Sequence, residues 1–140
     1  MRSLLPTVID VIRAHESNNP ETILRAMHVK IYPHNIIFLP DAFYIRLGQM
    51  QSISIKTSLS DNARSVALAH ELGHIVLRHR LDSFVHADRL SAARRDEKEL
   101  AANKFAFLLL AHTCLRNNAR MIDSIRGEKL LSLADTASLL

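Results

Sequence analysis

The sequence predicts an α+β domain in which a small antiparallel or mixed sheet of about three strands packs against a helical core built around one central motif helix. Two textures along the chain carry that prediction. Over residues 29–58 the chain runs through short segments rich in Ile, Phe and Tyr, VKIYPHNIIFLP, AFYIRL and SISIK, punctuated by Pro33, Pro40 and Gly48, as strands joined by turns should be. After Pro40 there is no proline, and between Gly73 and Gly127 no glycine, so the remainder is free to be mostly helix. The scale is set by a third observation: 140 residues with 48% apolar and 23% charged side chains make one ordinary domain, 1–140, with a buried core.

Taken in order, the elements follow from local chemistry. Within residues 6–15, Val8, Ile9, Val11 and Ile12 suit a short amphipathic helix, and Asn18-Asn19-Pro20-Glu21 reads as a turn opening a second one through Met27, so 1–28 is expected to be helical. In the sheet region, residues 52–56 alternate polar and apolar, as a strand with one wet face does. Ser60 or Asp61 caps a helix expected over about 62–80, with cationic Arg78, His79 and Arg80 at its negative end. Val66, Ala67, Leu68, Ala69, Leu72, Ile75 and Val76 make it apolar nearly all round, which predicts a central, buried helix. A further helix is expected over 94–112, its acidic residues at the favourable N-terminal end, and a helical tail over 113–140.

Composition narrows the function classes. The formal charge of +4 and pI near 9.6 come from basic residues spread along the chain, with short clusters only at Arg78-His79-Arg80 and Arg94-Arg95 and no interleaved aromatics. That pattern is a solvated basic face, so direct nucleic-acid binding is not favoured. The longest apolar run, residues 105–111, falls far short of the roughly 20 residues that cross a bilayer, and the N-terminus lacks a signal-like stretch. A cytoplasmic protein with no membrane partner is expected. The single cysteine, Cys114, fits a reducing compartment and is expected to be a packed small hydrophobe.

Chemistry concentrates in Ala69-His70-Glu71-Leu72-Gly73-His74. On a helix, His70 and His74 lie one turn apart on one face, which lets both imidazoles reach a single metal ion. Glu71 stands about 100° round the helix, near enough to take a proton from a water at the metal without being a ligand. Zinc lowers the pKa of its water and polarises a scissile carbonyl, so these are the parts of metal-assisted hydrolysis. Gly73 costs a helix about 1 kcal/mol against Ala and is expected to admit close approach of a neighbouring chain. A catalytic zinc takes a third protein ligand. Glu99, Ala102, Asn103 and Ala106 fall on one helical face, small residues beside two polar ones, which makes Glu99 the expected third ligand; Glu97 competes for that role. Asn103 is placed to hydrogen-bond the far nitrogen of a zinc-bound histidine or to steady Glu99.

The segment VALAHELGHIVLRHR followed by EKELAANKFAFLLL resembles the ImmA/IrrE family of metallopeptidases, whose pattern is Ala-His-Glu-Leu-Gly-His and then a helix with Glu-x-x-Ala-Asn-x-Phe-Ala and a run of leucines. The resemblance spans roughly residues 29–110. It implies a zincin-like helical core and one zinc ion per chain, held in gluzincin fashion at the positions of His70, His74 and Glu99, with Glu71 as general base. It also implies a cytoplasmic regulatory protease, often of phage or mobile-element origin, that inactivates a partner helix-turn-helix repressor by cleaving it; some relatives appear instead beside toxin–antitoxin pairs. The chain departs from the pattern at Ala101, where many members carry a second acidic residue, at Ala111-His112, which replaces Met-Pro, and in stopping at Leu140.

A second reading from another class is a non-proteolytic regulatory binding module that sequesters its partner, as an anti-repressor or antitoxin does, with a structural or idle metal site. A purely structural site needs ligands but no base, so Glu71 favours hydrolysis. A protease must also hold its substrate, and the strand around Ile53, Ser54 and Ile55 is the candidate for pairing with an extended peptide. Tyr44, His79, His86 and His112 are candidates for stabilising the oxyanion.

Overall fold

The computed structural model describes residues 3–79 and 92–117. Helix α1 (Leu5–His15) carries Pro6 in its first turn, where a missing N–H costs nothing, and buries Val8 and Ile12. Asn19 caps α2 (Pro20–Ala26), its side chain accepting the Thr22 N–H at 3.1 Å, with Pro20 opening the helix and Ile23 and Leu24 buried. Asn18 ties this corner to the far end of the fold by donating from Nδ2 to the Leu109 carbonyl at 3.3 Å.

Among the described residues, β1 (Val29–His34), β2 (Ala42–Leu47) and β3 (Met50–Lys56) form one mixed sheet in the order β1-β3-β2. A tight turn at Gly48, where φ is +60°, joins β2 to β3 antiparallel, whereas β1 pairs with β3 in parallel. The register places Val29, Ile31, Ile53, Ile55, Tyr44 and Ala42 on the face that meets the helices. Lys30, Ser52, Ser54 and Lys56 alternate onto the other, so residues 52–56 do have one wet face. The expected substrate strand is nevertheless corrected. Ile53, Ser54 and Ile55 belong to the central strand, whose main chain is bonded to β1 on one side and β2 on the other, and the two isoleucine side chains are buried. Nothing in that strand is left to receive a peptide. The apolar Ile36, Ile37 and Phe38 likewise stand outside any strand, exposed in the β1–β2 connection.

Helix α3 (Asp61–Val76) is capped by Ser60, whose Oγ accepts the Ala63 N–H at 3.2 Å. Its burial is uneven: Val66, near the start, is 54% exposed, and the buried residues are Leu68, Ala69 and Glu71 to His74, with His70 half-buried among them. The helix also ends earlier than expected. Arg78 takes a left-handed conformation at φ 55°, its N–H bonds to the Ile75 carbonyl at 3.1 Å, and the His79 N–H reaches back to the His74 carbonyl at 2.9 Å. That pair of bonds is a Schellman termination, which satisfies the last carbonyls and reverses the chain.

Helix α4 (Ala92–Asn117) is longer than expected at both ends, and because it starts at Ala92 its acidic residues stand beyond the first turn, not in it. Arg80, His86, residues 118–140 of the expected tail and the Cys114 side chain lie outside the described residues. Ala102, Phe105, Ala106 and Leu109 face the core, against Leu68, Ala69 and Leu72 of α3. The contact is close because residue 73 has no side chain. A Cβ there would sit 3.1 Å from the Ala102 carbonyl oxygen, 3.2 Å from its Cα and 3.2 Å from the Phe105 Cβ. Two of those atoms are backbone and cannot swing away. Because backbone cannot give way, Gly73→Ala is expected to lose about 2–3 kcal/mol to overpacking against about 1 kcal/mol regained in helix propensity, and so to unfold at lower denaturant with an unchanged slope. An unchanged or raised midpoint would contradict the close contact.

Candidate metal centre

His70 and His74 leave α3 one turn apart and meet Glu99 of α4. The Nε2 atoms of the two histidines are 3.0 Å apart; Glu99 Oε2 lies 3.0 Å from His70 Nε2, and its Oε1 lies 3.2 Å from His74 Nε2. Tetrahedral donors at zinc bond lengths of about 2.0–2.1 Å would be about 3.3 Å from one another, so a zinc ion fits with shifts of a few tenths of an ångström. Among the described residues no other three such side chains come together. The opposite ring nitrogens are held too. His70 Nδ1 donates to Asn103 Oδ1 at 2.8 Å, and His74 Nδ1 lies 2.9 Å from His79 Nδ1. Glu97, the competing candidate, is exposed on α4 two residues before Glu99, about 200° away round the helix, and does not join the group.

The profile of the IrrE N-terminal-like domain, a peptidase family, matches residues 27–126 and so takes in the sheet, α3 and α4. The chain belongs to the ImmA/IrrE metallopeptidase family. No curated protein and no solved structure matches it. Helix α1 lies outside the matched segment, yet in this member of the ImmA/IrrE family its Val8 and Ile12 help close the core beneath α4.

The electrostatics of this ImmA/IrrE site divide its two carboxyls. Glu71 is buried, and that burial pushes its pKa up to about 7; the nearby His70 charge pulls it down without reversing the trend, and Glu99 adds to the rise. Hydrogen bonds from His70 and His74 hold the Glu99 carboxyl well below the usual range despite partial burial. Burial works to lower the His70 pKa, but the Glu99 hydrogen bond and the charges of Glu71 and Glu99 raise it overall. His79 is pushed down to about 4, chiefly by burial and then by His74 and Lys98. His74 is 2% exposed while the Glu99 side chain is 54% exposed, so the group opens to solvent on the Glu99 side.

Of the candidates for oxyanion stabilisation, the three among the described residues are not brought to that open side. Tyr44 donates its hydroxyl to Gln51 Oε1 at 2.9 Å within the sheet. His112 lies 13 residues beyond Glu99 on the same helix, about 20 Å along its axis. His79 stands behind His74, on the side away from Glu99. That contact was not legible in the sequence, since no glycine marks the left-handed residue that creates it.

Proposed function

We propose that this chain is a zinc-dependent endopeptidase of regulatory role, cleaving a partner helix-turn-helix DNA-binding repressor. The observation that supports hydrolysis best is the meeting of three donor atoms from His70, His74 and Glu99 with the buried carboxyl of Glu71 beside them. Two imidazoles and one carboxylate suit zinc rather than calcium or magnesium. Bound there, zinc supplies a Lewis acid for the scissile carbonyl and for the attacking water.

The proton is Glu71's share. Without metal, burial raises the Glu71 carboxyl to about 7; a zinc ion held beside it would favour the ionised form, which accepts a proton from the attacking water and afterwards passes it to the leaving amine. Asn103 steadies the His70 ring through Nδ1, and the depressed Glu99 stays an anion throughout the working range. Among the described residues the edge strands of the sheet are β1 and β2, and β2 is the one packed against α3. In this reading the substrate main chain pairs along that edge. No helix among the described residues is long and apolar enough to cross a membrane. A cytoplasmic location and an origin on a phage or other mobile element belong to the same reading.

Co-expression with the helix-turn-helix repressor encoded nearest to this chain tests it. The wild type is expected to yield discrete repressor fragments and Glu71→Gln none. An intact repressor that co-purifies equally with both forms would replace proteolysis by sequestration.

A further inference from the structure

We propose that His79 is a positioning residue for His74, accepting the His74 Nδ1 proton and thereby reserving the Nε2 lone pair for the metal. The proposal rests on the metal-binding reading of the site above and adds a residue that the His-Glu-x-x-His motif does not contain.

His74 is almost wholly buried, so its Nδ1 looks onto protein and needs a partner there. The partner is an imidazole nitrogen 2.9 Å away, the two rings meeting at an interplanar angle of 64°. Two Nδ1 atoms at that distance share one proton. If it sits on His79, the neutral His74 ring carries its own proton on Nε2 and has no lone pair to offer toward Glu99 and His70. If it sits on His74, Nε2 is free to bind, and that is the tautomer a metal selects. His70 is treated in the same way by Asn103, whose Oδ1, 2.8 Å away, accepts. Each candidate ligand on α3 thus has an acceptor behind it.

The placement depends on how α3 ends. Had the helix continued, residue 79 would lie about 140° round from residue 74 and could not fold back onto its ring. The left-handed Arg78 and the His79 N–H bond to the His74 carbonyl at 2.9 Å turn the chain so that the two rings meet. A non-glycine residue in that conformation costs about 1 kcal/mol or more, which the local hydrogen bonds must offset.

Zinc affinity of the full chain, measured by competition with a chromophoric chelator, and the visible spectrum of the cobalt-substituted protein test this. His79→Leu removes the acceptor and is expected to weaken zinc about 10–100-fold and to alter the cobalt bands. His79→Asn sets an amide oxygen where Nδ1 stood and is expected to stay within about threefold of wild type, whereas His79→Gln sets it where Nε2 stood and should resemble His79→Leu. Thermal melts in excess chelator show whether each metal-free variant is folded; should His79→Leu melt early, the contrast between Asn and Gln decides. The proposal is overturned if His79→Leu binds zinc as wild type does with an unchanged cobalt spectrum, or if Asn is no better than Gln. A wild type that binds no zinc would overturn the metal reading instead.

Discussion

Glu71→Gln is expected to bind zinc as tightly as wild type and to lower peptide hydrolysis by at least about 10²–10⁴-fold, the contribution of a positioned general base. The side chain is not one of the three donors, and the amide keeps its volume while losing its ability to take a proton. The same substitution has a second signature in the metal-free protein. Glu71 has an ordinary pKa of 4.5 when exposed and about 7 when buried in the fold, so the folded state binds the extra proton between those values. Stability contributed by the protonated carboxyl is complete below about pH 4.5 and falls as pH rises to about 7, a loss on the order of 3 kcal/mol. Glu71→Gln carries no such loss. Metal-free melts of the two forms should therefore coincide near pH 4 and diverge by pH 8, with the variant the more stable. A variant that cleaves at the wild-type rate, or that gains nothing at pH 8, would remove Glu71 from the role of buried base.

The second large effect is at Glu99. Zinc sites in folded peptides are worth about 10–16 kcal/mol, so one of three or four ligands carries roughly 3–4 kcal/mol, and Glu99→Ala is expected to weaken zinc by a factor of several hundred. Glu97→Ala, on the exposed side of the same helix, is expected to leave zinc affinity unchanged and serves as the control for lost surface charge. Chelator competition on the three proteins distinguishes them. If Glu99→Ala held zinc like wild type, or Glu97→Ala lost as much, the third ligand would have been misassigned.

Why some of this could be read from residues alone and some could not is visible in particular elements. The face of α4 that carries Glu99, Ala102, Asn103 and Ala106 was legible because helical spacing is a local property, and the same spacing brings His70 and His74 together. The close packing at Gly73 was legible for a related reason: a glycine inside an otherwise good helix has a cost that packing must justify. Strand order was not. The alternation in residues 52–56 reports one wet face but is the same for an edge and a central strand, and only the parallel return of β1 beside β3 puts β3 in the middle. The end of α3 is not legible either, because Arg78 gives no local sign of a left-handed turn; hydrogen bonds around it set the stop. With that stop comes the His79 contact on His74, which neither the His-Glu-x-x-His motif nor the Glu99–Asn103 helix face encodes.

X-ray absorption at the zinc edge, on wild-type protein loaded with one equivalent of zinc, measures the coordination of His70, His74 and Glu99 most directly. The predicted result is a shell of about four nitrogen and oxygen atoms near 2.0–2.1 Å with the outer scattering of two imidazoles, reduced to a different shell or lost altogether in Glu99→Ala. A sulfur scatterer near 2.3 Å, a shell with fewer than two imidazoles, or zinc that washes off the wild type would contradict it.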